Sequence, residues 1–89
     1  MKTQKQIQSG SVDIKLTKGI SIDGTTINSL RMREPTVGDQ IAMSKSSEDA
    51  AEQEIFLFGN LCSVAPADMQ QLTLRDYKAV QEAFKAFVD

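Results

Sequence analysis

Eighty-nine residues, 40% apolar and 25% charged, suit one globular domain with a modest core and exclude wholesale disorder. Ten Lys and Arg against twelve Asp and Glu leave a net charge of −2, so the concentrated basic face that nucleic-acid binding uses is missing. There is no histidine and Cys62 is the sole cysteine, which removes His-activated nucleophiles, an intrachain disulfide and a cysteine zinc cage.

From Met1 to Gly10 the chain is polar, with Ile7 the only large apolar residue besides Met1. Residues 1–11 read as a flexible N-terminal tail and 12–89 as a single α+β domain. No secretory leader is visible in that polar start, and the apolar run Ile55 to Phe58 is too short to cross a bilayer. A soluble protein in a reducing, intracellular compartment is the expectation.

Val12, Ile14 and Leu16 alternate with Asp13 and Lys15, the pattern of a strand with one wet face. Thr17-Lys18-Gly19 reads as a turn and Ile20-Ser21-Ile22 as a second strand. Asp23-Gly24 is a strong hairpin signal, because both residues tolerate positive φ. A third strand follows over Thr25 to Arg33. Its apolar positions Ile27, Leu30 and Met32 slip by one near Asn28-Ser29, where a bulge would restore them to one face. The expected product is a short three-stranded antiparallel meander, packed against three to four helices from the C-terminal half.

Pro35 ends the strands, since it lacks a donor and biases Glu34 toward an extended backbone. Thr36 and Asp39 have capping-box spacing for a helix over Val37 to Ser44, with Val37, Ile41 and either Met43 or Ser44 expected on its inner side. Gly38, just inside that helix, suits either a close backbone approach or a short loop. A second helix is expected over Ala50 to Ser63. Glu48, Asp49, Glu52 and Glu54 sit toward its N-terminal end, where the macrodipole favours negative charge and where no calcium-loop spacing exists. Pro66 suits the first position of a short helix. Thr73 and Asp76 repeat the cap spacing before a last helix with an apolar stripe of Leu74, Tyr77, Val80, Phe84, Phe87 and Val88.

Nothing along the chain assembles catalytic chemistry, a cofactor cradle or a metal site. Cys62 lies in an apolar helical stretch and reads as a buried core thiol. Phe56, Leu57 and Phe58 are successive, and at about 100° per residue they cannot share one helix face. Core packing is the ordinary explanation, yet at least one of them is left to cover an interface. Phe56, Leu57, Phe58 and Leu61 are therefore the candidate partner-binding residues.

Ile20-Ser21-Ile22-Asp23-Gly24-Thr25 and Leu30-Arg31-Met32-Arg33-Glu34-Pro35-Thr36-Val37-Gly38-Asp39 together resemble the N-terminal signature of the small tail assembly chaperones of Mu-like and P2-like bacteriophages. Pro66-Ala67-Asp68-Met69-Gln70-Gln71-Leu72 and Leu74-Arg75-Asp76-Tyr77 stand where that family carries a short helix and the start of a final one. The resemblance spans about Val12 to Asp89. It implies a non-enzymatic chaperone without cofactor that binds the phage tape measure protein, keeps it soluble and recruits tail tube protein. It also implies work in the cytoplasm of the bacterial host, absence from the mature virion, and no nucleic-acid or membrane partner, and it leaves a homo-oligomer open. The competing classes are a small DNA-binding, regulatory or antitoxin-like protein and a minor structural virion component.

Overall fold

Asp23-Gly24 folds the N-terminal half back on itself. In the computed structural model, which describes residues 10–89, β1 (Ser11–Ile22) and β2 (Thr25–Arg33) pair antiparallel across this turn. Asp23 and Gly24 have φ of 52° and 81°, the two successive positive values of a type I′ hairpin turn. Of the tail expected over residues 1–11, residues 1–9 lie outside the described residues. Gly10 accepts a hydrogen bond from the Glu34 N–H at 2.6 Å, and Ser11 already opens β1.

The α+β class holds, but among the described residues the sheet has two strands rather than the expected three. Thr17-Lys18-Gly19 makes no turn, because the chain continues through it along the same partner strand. Lys15 pairs with Ser29 and Ile20 with Ile27, so the four residues Leu16 to Gly19 of β1 stand opposite Asn28 alone. The slip in β2 spacing thus marks the right place, while the surplus residues belong to the facing strand. Gly19 serves close approach: a Cβ there would lie 2.6 Å from the Ile27 carbonyl oxygen.

Four helices follow, α1 (Val37–Ser46), α2 (Ala50–Cys62), α3 (Pro66–Met69) and α4 (Leu74–Val88). Helix α2 is central, lying against β2, α1 and α3, and α4 lies against β1. The inner face of the hairpin supplies Ile14, Leu16, Ile20, Leu30 and Met32 to the core. Leu57, Phe58, Leu61 and Cys62 come from α2, Val64 and Met69 from the α3 region, and Val80 from α4. Burial pushes the Cys62 thiol up to about 11, as befits a core thiol.

Helix α1 is the outlier, with no buried residue. Val37 is 76% and Ile41 51% exposed, against the expectation that both would line its inner side. The half-buried Met43, one of the two alternatives expected beside them, does pack against the core. In α4, likewise, the ends of the expected stripe, Leu74 and Val88, are exposed and only its middle reaches the core. Among the described residues, no helix is long and apolar enough to cross a membrane.

Candidate functional site

The link between sheet and helices is held by local polar chemistry. The Asp39 N–H donates to Thr36 Oγ1 at 3.2 Å, and the Thr36 N–H donates back to Asp39 Oδ2 at 2.8 Å, which closes the expected capping box despite the short aspartate. The Arg33 guanidinium then forks onto the same carboxylate, at 2.8 Å to Oδ2 and 2.7 Å to Oδ1. Arg33, Pro35, Thr36 and Asp39 therefore act as one device that fixes the angle at which α1 leaves β2. Gly38 is not crowded by the chain itself, since a Cβ there would meet only Thr36 Oγ1 at 3.6 Å.

Arg33 and the Thr36 donors hold the Asp39 carboxyl far below its ordinary 3.8. A carboxylate depressed on folding adds stability above its unfolded pKa, and this stability disappears as pH falls through its folded value. Asp39→Asn is expected to lower the melting temperature at pH 7 by about 5 °C, with the gap to the wild type narrowing progressively below about pH 4. Thermal melts from neutral pH to about pH 2 check this; a gap that stays constant would show that the charge of Asp39 contributes nothing.

The last helix is tied to the hairpin by a second aspartate. The Asp76 N–H donates to Thr73 Oγ1 at 3.2 Å, the expected half of a cap. Its carboxylate turns away to the bulge, taking the Thr17 N–H and hydroxyl on Oδ1, both at 2.8 Å, and the Lys18 N–H on Oδ2 at 3.0 Å. Asp76 is 1% exposed, and the backbone donors of Thr17 and Lys18, with smaller help from the Thr17 and Thr73 hydroxyls, hold its carboxyl below the usual range. The Gln71 side-chain amide accepts from the Ser21 N–H at 2.9 Å and donates to the Ser21 carbonyl at 2.8 Å. On the outer edge of β1, Thr17, Lys18 and Ser21 are thus partnered by side chains of α4 and of the turn before it, rather than left open to strand addition.

Between α1, α2 and α4 these devices leave an apolar groove of about 620 Å³. Leu57 and Phe58 form its floor, Pro35, Val37 and Met43 stand on the α1 side, and Phe84 and Val88 on the α4 side. Helices α2 and α4 meet there through large rings: Phe58 packs at 5.7 Å from Tyr77 and 5.4 Å from Phe84, both tilted. At the same junction the Tyr77 hydroxyl donates to Glu54 Oε1 at 2.6 Å and Gln81 Nε2 donates to it at 3.1 Å. Glu54 therefore braces α4, whereas Asp49 and Glu52 stay at the α2 N-terminus. There Asp49 caps the Glu52 N–H at 2.9 Å.

The four candidate residues of the second helix separate by depth. Leu57 and Phe58 are buried yet reach the groove from below. Leu61 is 1% exposed and belongs to the core. Half-buried Phe56 faces a smaller hollow of about 230 Å³, alongside Ile55 and Pro66. Sequence reasoning missed Val37, Met43 and Val88 as groove residues. The available signal was the Pro35-Thr36-Val37 motif itself, since all three of its residues line the groove. Among the described residues, no group of three or more His, Cys, Asp or Glu could hold a metal ion.

Residues 13–89 match the family described as "Phage tail assembly chaperone proteins, E, or 41 or 14". No curated protein and no solved structure matches the chain. The matched span takes in the Arg33–Asp39 device, the Asp76 tie and every residue that lines the groove. This chain belongs to the phage tail assembly chaperone family.

Proposed function

We propose that the protein is a non-enzymatic chaperone of phage tail assembly that binds the tape measure protein, keeps it soluble and helps recruit tail tube subunits. The family match carries the reading. The groove supplies a physical means: exposed Val37 and Val88 flank a buried apolar floor, an arrangement suited to receiving an amphipathic helix. Leu57 and Phe58 would meet the guest at that floor, Phe56 would serve a separate contact on the far side of α2, and Leu61 would act through the core. Release would be easy, because a groove this size offers too little area for a permanent complex.

Co-expression with the tape measure protein of the same phage, followed by affinity capture, tests the function. Soluble co-purification is expected, with an insoluble tape measure protein when this chain is omitted. Val37→Gln combined with Val88→Gln, both at exposed positions, is expected to weaken capture by about tenfold while leaving folding intact. A tape measure protein equally soluble alone would overturn the function. Capture that is indifferent to the double substitution would remove the groove from it.

A further inference from the structure

Among the described residues, Glu54 is the one charged side chain that lines the groove. Tyr77 and Gln81 both donate to its Oε1, at 2.6 and 3.1 Å, and among the described residues none donates to Oε2. Two donors on one oxygen hold the carboxylate in place and leave the other oxygen available. An apolar guest laid over the groove would strip water from this carboxylate, and a desolvated carboxylate without a counter-charge is costly. A guest that brings its own cation removes that cost, and a guest bearing an acid there increases it.

We propose that the groove selects an apolar helix face carrying a single Lys or Arg, whose cation pairs with Glu54 while the surrounding apolar residues cover Leu57, Phe58, Val37 and Val88. The proposal rests on the chaperone reading and adds a rule for which segments are held. Charge complementarity supports it, since among the described residues no Lys or Arg lines the groove to repel such a guest. The rigid bracing by Tyr77 and Gln81 further means that Glu54 loses little freedom on pairing.

The test uses the full chain and three labelled helical peptides with one Leu-Ala face, identical except for Lys, Gln or Glu at the centre of that face. Fluorescence anisotropy in about 0.1 M salt is expected to show the Lys peptide binding about fivefold tighter than the Gln peptide, with the Glu peptide weakest. Glu54→Gln, which keeps an acceptor for Tyr77 and Gln81, should bring all three within about twofold. Equal binding of the Lys and Gln peptides to the wild type, which requires no variant to fold, would overturn the cation rule. So would a Lys preference that survives Glu54→Gln. If the peptides bind equally and V37Q with V88Q abolishes that binding, the groove stands and only the cation rule falls. Failure of every peptide to bind would overturn both.

Discussion

Asp76→Ala is expected to lower the melting temperature by more than about 10 °C, the largest effect of any single polar substitution in this chain. The reason lies in what the carboxylate holds. A bulge leaves successive backbone N–H groups without ladder partners, and Thr17 and Lys18 both give theirs to Asp76. Truncation would take from both donors the acceptor that a 1%-exposed carboxylate now supplies. It would also remove a negative charge from the first turn of α4, where the macrodipole favours one. Asp76→Asn should fall between Ala and wild type, because its amide oxygen can still serve one N–H while its NH₂ opposes the other. As with Asp39, the stabilisation is present above the ordinary carboxylate value of 3.8 and fades as pH falls below it. Circular dichroism melts of the two variants decide the matter. An Ala variant melting within about 2 °C of wild type would mean that water satisfies the bulge just as well.

Phe58→Ala is expected to cost about 3–5 kcal/mol of folding stability, a large share of what a domain of this size possesses. Phe58 is 2% exposed and sits where α2 meets α4, its ring touching Tyr77 and Phe84. Removing it would empty the space that holds the two helices at ring-stacking distance, so the floor of the groove would go with it. Phe58→Leu keeps most of the volume and should cost less than about 1.5 kcal/mol. Urea unfolding provides the measurement, with a lower midpoint at an unchanged slope expected. A loss under about 1 kcal/mol for Ala would show that α4 is held almost wholly by its tie to the hairpin.

The contrast between the two aspartates shows how far a sequence reading reaches. Thr36 with Asp39 and Thr73 with Asp76 have the same spacing and both form caps. Their carboxylates then part company: Asp39 closes its box and takes Arg33, six residues away, while Asp76 crosses to residues 58 and 59 positions away. Nothing in four residues of sequence distinguishes these fates. The same holds for Glu54, which reads as one more acid near a helix start and instead braces a helix 23 residues further on.

Exposure was the least legible property. Val37, Ile41, Leu74 and Val88 obey helical apolar spacing, yet all four are exposed. Periodicity states which residues share a face; it cannot state whether anything lies against that face.

By itself, then, the sequence determined what depends on neighbours a few positions apart. That comprises the Asp23-Gly24 turn, the caps at Thr36 and Thr73, the order of strands before helices, the core role of the α2 apolar run and the family signature. Only the tertiary structure decided that Thr17-Lys18-Gly19 is a bulge rather than a turn, because the Thr17 and Lys18 N–H groups find their acceptor in a helix far along the chain. It alone also made a groove from Pro35, Val37, Phe58, Phe84 and Val88, since a concave apolar surface exists only where three helices converge without filling the space between them.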